Sequence, residues 1–324
     1  MVRSHKLTAH IALLFAVIAW GIEYVLIKAS TQTQSPLVVL FGIFAVAVVL
    51  FGLNLLGLKA RGREPVFAPG VADEAPAEEG RHPIGVSVPW RLLLLIGAIG
   101  VGINALLVFG QKLTSTASAS ALGRTDILFT IVLSALIFGE QIRRIHLFVL
   151  PLMLAGIYLV TGIRLAALDM GNIGDYLILA STLLLSLNAF VIKRAARRLN
   201  SFFIAFTNTA INVVAFFVLI IVTGAWETFV SVSFSSWLLI GAIGVCGFTF
   251  MGGYYIGLRH LPVLEVRLLL LLVPVVTVLA GWVALGSLPT LRESIGMPLI
   301  MLGAGALVLK DHLESRRRSA EHHN

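Results

Sequence analysis

Long apolar runs constrain the fold of this chain more than any other feature. A helix needs about 20 apolar residues to cross the hydrocarbon core of a bilayer, and ten runs of this kind lie between charged or turn-rich breaks. Charged residues are only 12% of the 324 residues, while 58% are hydrophobic, which leaves too little charge to cover a soluble domain. We therefore predict an all-α integral membrane protein that lies in a lipid bilayer.

The ten predicted transmembrane spans have boundaries set by charges, Pro and Gly. They are Thr8 to Ala29, Pro36 to Gly57, Trp90 to Gln111, Ala117 to Phe138, Ile145 to Gly162, Gly174 to Lys193, Ser201 to Thr223, Ser236 to Gly257, Pro262 to Leu285 and Ile295 to Leu309. The first span is too long for a cleavable signal and contains Glu23, so we interpret it as a membrane helix.

The distribution of Lys and Arg predicts the orientation. With the N-terminus inside, the inner segments hold 18 of the 24 cations, and the outer segments hold only Lys28, Lys112, Arg164 and Arg292. This bias places both termini on the cytoplasmic side of the cytoplasmic (inner) membrane. The net charge of +8 then reflects topology rather than nucleic-acid binding, and residues 313–324 form a basic cytoplasmic tail.

An internal repeat divides the chain into two halves, residues 1–163 and residues 169–312. Trp20, Glu23 and Lys28 align with residues 165 positions later, so that Glu23 matches Asn188. Further along, Gly110 and Pro151 align with residues 147 positions later. The offset changes mainly at residues 62–85, a Pro-, Ala- and acid-rich stretch that we predict to be a flexible cytoplasmic linker.

Five spans in each half mean that the two halves enter the membrane from opposite sides. The predicted fold is therefore ten transmembrane helices arranged as two inverted five-helix repeats. Chance similarity between apolar segments is the alternative, because short Gly and Pro matches are common in membrane helices.

Several short motifs resemble the drug/metabolite transporter superfamily, in particular the ten-helix EamA-type permeases. The matching residues are Trp20-Gly21 followed by Lys28, the small residues 116–119 before a span that ends in Gly139-Glu140, Pro274, and the glycines Gly156, Gly303 and Gly305. The family's Pro in the fourth span is Ile127 here, and the second Gly-Glu pair is Gly286-Ser287.

The resemblance implies a secondary transporter that works by alternating access. It further implies that the first four helices of each half line a cavity. The fifth and tenth helices would then lie outside and support contacts in a homodimer.

Charged residues at membrane depth usually face a cavity and have partners. At a rise of 1.5 Å per residue, Glu23, Asn104, Arg124 and Asp126 lie about 9–13 Å from the outer end of their spans. Arg124 and Asp126 are two residues apart on a helix and cannot face one another. Either a Glu23–Arg124 pair locks the first and fourth helices, or Glu23 or Asp126 is a protonatable gate and Arg124 holds a substrate carboxylate.

The second half supplies a group of polar residues nearer the cytoplasmic side. Asn188 and Asn208 bridge helices or contact the substrate. Arg267 lies only five residues into its span, where extension of its side chain to the inner interface is one explanation. Trp20, one turn before Glu23, is expected to form a cavity wall, and Tyr24, Tyr254 and Tyr255 are weaker candidates.

These features lead us to expect an exporter of a small amphipathic or zwitterionic metabolite, for which proton coupling is one mechanism. The chain contains no HExxH, paired-Asp or nucleotide-binding motif and a single cysteine, Cys246, so we expect no enzyme activity, metal or cofactor. A membrane scaffold or assembly factor without transport activity is the alternative.

Overall fold

The structure is a helical bundle. The computed structural model describes residues 2–31, 33–67, 88–113, 122–123, 125–136, 144–161, 173–285, 288 and 290–321. Its helices are α1 (Val2–Thr31), α2 (Pro36–Ala60), α3 (Trp90–Leu113), α4 (Asp126–Leu136), α5 (Arg144–Thr161), α6 (Ile173–Ala196), α7 (Ser201–Val222), α8 (Trp226–Val230), α9 (Phe234–His260), α10 (Val263–Leu270), α11 (Val273–Leu285) and α12 (Leu291–Glu321).

Within the described residues, eight stretches of helix are long and apolar enough to cross a membrane, and they coincide with eight of the predicted spans. The fifth span corresponds to α5, an apolar helix of 18 residues. The fourth is represented by the 11 residues of α4, and its predicted start at residues 117–121 lies outside the described part. The bundle is therefore all-helical and membrane-spanning, while the count of ten stays a prediction.

The fourth and ninth spans are interrupted at corresponding positions. The ninth is divided into α10 and α11, because Pro274 has no N–H to donate to the Leu270 carbonyl. At this break the Leu272 N–H donates to the Leu269 carbonyl at 3.1 Å, and before α4 the Thr125 N–H donates to the Leu122 carbonyl at 3.0 Å. The two hydrogen bonds are 147 residues apart, the offset found in the sequence.

The two halves pack mainly against each other. Helix α1 lies along α9 and contacts α11, and the counterpart helix α6 lies along α3 and contacts α4. Likewise α2 contacts α7 and α9, while α7 contacts α2 and α3, and α5 packs against α12. Each of these helix–helix contacts corresponds to a contact between the equivalent helices of the other half, as a duplication predicts.

The segment after α2 crosses from the first half to the second. Gly62, with φ of 68°, turns the chain in a conformation that suits glycine. The Val66 carbonyl accepts a hydrogen bond of 2.8 Å from the Asn200 N–H, and Phe67 forms an isolated bridge with Leu199. These first residues of the predicted linker thus contact the α6–α7 turn, and residues 68–87 lie outside the described part.

The close approach of α1 to α9 can be tested by substitution of glycines in α9. A Cβ on Gly253 would overlap the Ala12 carbonyl oxygen, whereas a Cβ on Gly241 of the same helix would meet nothing within 4 Å. We expect Gly253→Ala to destabilise the protein by about 1–3 kcal/mol through overpacking and Gly241→Ala, which meets no neighbour, to stabilise it by up to about 1 kcal/mol through helix propensity. Melting temperatures in detergent measure both, and equal values would contradict the α1–α9 contact.

Candidate functional site

An ion pair joins the two interrupted helices. The Arg267 Nη1 lies 3.3 Å from the Asp126 Oδ2, so the pair links the end of α10 to the start of α4. Asp126 lies in the first turn of its helix and Arg267 in the last turn of its own. Each charge therefore has the sign that its helix terminus favours.

Helix α6 fixes both partners of this pair. The Arg267 Nη2 donates to the Leu185 carbonyl at 2.6 Å, and the Ser186 hydroxyl donates to the Asp126 carbonyl at 2.8 Å. One turn earlier, the Thr182 and Thr125 hydroxyls lie 3.2 Å apart. Helix α6 thus holds the start of α4 through the Asp126 carbonyl and the end of α10 through the Arg267 side chain.

Three buried polar atoms around this junction have no hydrogen-bond partner in the described part of the chain. They are the Arg267 Nε, the Tyr254 hydroxyl and the Asn188 Oδ1. The Arg267 Cζ lies 5.5 Å from the centroid of the Tyr254 ring, and Asn188 lies one helical turn from Leu185. Buried polar groups are nearly always paired, so these three atoms are exceptions within the described part of the chain.

Glu23 lies in a second buried position, at 7% exposure. A Cβ on Gly247 of α9 would lie 3.4 Å from the Glu23 Oε1, and the Oε2 has no partner among the described residues. Glu23 and Asn188 occupy aligned positions of the two halves. Each is buried, and each has an unpaired side-chain oxygen.

An aromatic column along α9 connects the position of Glu23 with that of Arg267. Trp20 stacks on Phe250 at 4.4 Å between ring centroids, and Phe250 stacks on Tyr254 at 5.6 Å. Gly247, Phe250 and Tyr254 lie on one face of α9, and their spacing covers about 10 Å along the helix. The column therefore lies between the Glu23 carboxyl group and the Arg267 guanidinium.

A chain of amides joins α3, α7 and α9. The Asn208 Nδ2 donates to the Tyr255 hydroxyl at 2.8 Å, and the Asn212 Nδ2 donates to the Asn208 Oδ1 at 3.1 Å. Asn104 donates to the Gly100 carbonyl at 2.9 Å and lies 3.5 Å from the Asn212 Oδ1. These Asn side chains use most of their hydrogen-bond donors and acceptors in contacts with each other, with Tyr255 or with a backbone carbonyl, as expected of groups that bridge helices.

One sequence-based interpretation of Arg267 is wrong. Arg267 does not extend to the membrane surface, since its side chain is 2% exposed and pairs with Asp126. The membrane depths of Asp126 and Arg267 stay predictions.

Other predicted site residues are distributed as follows. Trp20 lies on the aromatic column, and Asn104 and Asn208 lie in the amide chain. Arg124 and the side chain of Tyr24 lie outside the described residues, so the Glu23–Arg124 pair stays a prediction. In the described part of the chain, no group of three or more His, Cys, Asp or Glu residues could hold a metal ion.

Sequence reasoning undervalued Tyr254 and missed the Leu185 carbonyl and Ser186. Tyr254 follows Phe250 by one turn, so a search for aromatic residues on one face of α9 would have found the column. No local pattern predicts that a carbonyl of α6 accepts a hydrogen bond from Arg267, because the two residues are 82 positions apart.

Comparison with known proteins agrees with this architecture. Residues 7–162 and 172–309 match the EamA-like transporter family. Twenty-nine solved chains match in structure; one of them, a crystal structure described only as a protein, is 22% identical with a TM-score of 0.70. That match covers 96% of this chain and 99% of the other, and no curated protein sequence matches.

The family match and the apolar helices indicate a multi-pass membrane protein of the drug/metabolite transporter type. Because the family model matches both halves of the chain, the protein belongs to the EamA-like transporter family. The two matched ranges follow the internal repeat found in the sequence.

Two adjacent tyrosines provide a test of the site's hydrogen bonding. Tyr255→Phe removes the acceptor of the Asn208 amide, and a buried donor without a partner costs about 1–3 kcal/mol. Tyr254→Phe removes a hydroxyl that has no partner, so we expect a change of less than about 0.5 kcal/mol. Thermal unfolding in detergent compares the two variants, and a larger loss for Tyr254→Phe would contradict the assignment of partners.

Proposed function

We propose that this protein exports a small amphipathic or zwitterionic metabolite across the cytoplasmic membrane by proton-coupled alternating access. The observation that carries the proposal is the pair of buried, incompletely partnered charged groups, Glu23 and Arg267, at the boundary between the two halves. Charged groups inside a membrane protein are costly and usually serve the transport pathway.

Glu23 suits a positively charged group or a proton. An ionised carboxylate without a cation would carry a large desolvation cost, so the neutral acid is favoured when the position holds no ligand. Binding of a ligand ammonium group would stabilise the ionised form and release a proton. This exchange gives a physical basis for coupling transport to the proton gradient.

Arg267 suits the opposite end of such a ligand. Its guanidinium and the nearby Tyr254 hydroxyl are donors, and a ligand carboxylate accepts from donors of both kinds. The aromatic column between Glu23 and Arg267 offers an apolar surface of about 10 Å. A molecule with both charges and an apolar body fits these three features together.

The arrangement of the halves supports alternating access. Residues of the site come from α1 and α4 in the first half and from α6, α9 and α10 in the second. A relative movement of the halves would therefore change the site itself, and two similar halves with opposite orientation provide two related conformations.

The charge distribution supports an orientation with both termini in the cytoplasm. Eighteen of the 24 Lys and Arg residues fall in the segments that this orientation places inside, as the positive-inside rule requires. Comparison of uptake by inside-out and right-side-out vesicles tests the proposed export direction.

Glu23→Gln is the sharpest test of proton coupling. We expect the variant to fold and to lose proton-driven transport of L-amino acids and related zwitterions, because the amide cannot release a proton. The matched control is Glu227→Gln, which alters an exposed acid of α8 and should transport normally. Uptake of radiolabelled compounds into proteoliposomes with an imposed pH gradient measures both variants.

The outcomes separate the proposed roles. Normal proton-driven transport by Glu23→Gln would contradict coupling through this residue. No transport of any zwitterion by the wild-type protein would favour the scaffold alternative. Arg124→Ala, run in the same assay, tests the second residue that the sequence predicts for the substrate pathway.

A further inference from the structure

We infer that the Arg267 guanidinium is a carboxylate-binding site that Asp126 occupies as an internal substitute while no ligand is bound. A carboxylate from a small organic acid or zwitterion would displace Asp126 and take its place. The inference rests on the proposed function for the class of ligand, but its central contact is testable without transport.

The Arg267 guanidinium makes a weaker contact with its carboxylate than a guanidinium is able to make. A guanidinium binds a carboxylate best through two parallel hydrogen bonds of about 2.7–2.9 Å. Here only the Nη1 contacts a carboxylate oxygen, at 3.3 Å, and the Nε has no partner in the described residues. One N–H donor of this buried cation is therefore without an acceptor in the described residues.

The position of the guanidinium does not depend on Asp126. The Nη2 is fixed by the Leu185 carbonyl at 2.6 Å, and the Tyr254 ring lies 5.5 Å from the Cζ. Loss of the Asp126 contact would leave these two contacts in place, so the site would keep its shape for an external carboxylate.

Asp126 is the more accessible partner. Its side chain is 15% exposed, against 2% for Arg267, so the open side of the pair is the side of the carboxylate. Its backbone is fixed by the hydrogen bond from Ser186, so its short side chain can rotate away without movement of α4. After such a rotation its charge still lies at the helix N-terminus, which favours a negative group.

A direct exchange of carboxylates keeps the more deeply buried Arg267 paired and leaves the unpaired charge on Asp126, which is 15% exposed and lies at the N-terminus of α4. Removal of one partner from a buried ion pair leaves an uncompensated charge and costs about 3–5 kcal/mol. When a ligand carboxylate arrives as Asp126 leaves, Arg267 is never without an anion. The unpaired Tyr254 hydroxyl is a further donor that the ligand could use and Asp126 does not.

Rescue with acetate tests the inference on the full-length protein. Asp126→Ala removes the internal carboxylate, and acetate is the free counterpart of the missing group. At about 100 mM acetate we expect the melting temperature of Asp126→Ala to rise by about 2–4 °C and that of the wild type by less than about 1 °C. Acetamide, with equal ionic strength set by sodium chloride, should stabilise neither protein.

The double variant Asp126→Ala/Arg267→Met is the matched control and should lose the acetate effect. Equal stabilisation of wild type and Asp126→Ala, persistence of the effect without Arg267, or no effect of acetate on Asp126→Ala would each overturn the inference. If Asp126→Ala does not remain folded in detergent, Asp126→Asn is measured in the same solutions with the same expectation. The proposed function fails separately, when the wild type transports no zwitterion.

Discussion

The contact between Arg267 and Asp126 lies where two demands of the membrane interior coincide. Interrupted helices expose backbone N–H and carbonyl groups that lipid cannot satisfy, and charged side chains need partners away from water. The breaks before α4 and between α10 and α11 create such helix ends in the core of the bundle. A carboxylate at one end and a guanidinium at the other complement the helix dipoles and each other.

The consequences of this contact extend through the whole bundle because the halves are interleaved. Helices α1 and α6 pack along partners in the opposite half, so the main buried surfaces lie between the halves rather than within either one. A charge pair between α4 and α10 therefore lies on the surface along which the halves would move. Its geometry is sensitive to that movement, whereas the amide chain of Asn208 and Asn212 is satisfied locally.

The sequence predicts the helices well and the polar partners poorly. Helix boundaries follow from local signals such as Pro36 and the Asn200 cap before α7, and these signals act within a few residues. The repeat alignment also pairs Glu23 with Asn188, both of which are buried. The sequence does not predict that Arg267 pairs with Asp126, because the two residues are 141 positions apart. Pro274 signals one break, but Ile127 stands at the corresponding position in the first half, so nothing local predicts the other.

A conformational change across this boundary requires an ion pair that is neither permanent nor costly to open. A buried pair contributes little net stability compared with apolar packing, yet separation into two unpaired charges is strongly unfavourable. In the proposed exchange, an incoming carboxylate would keep Arg267 neutralised while the ion pair between α4 and α10 opens. The ligand would then stabilise the opened arrangement by its own contacts, and such differential affinity is the only means by which a ligand shifts a conformational equilibrium. Binding of the ligand and opening of this ion pair would in that case be one electrostatic event.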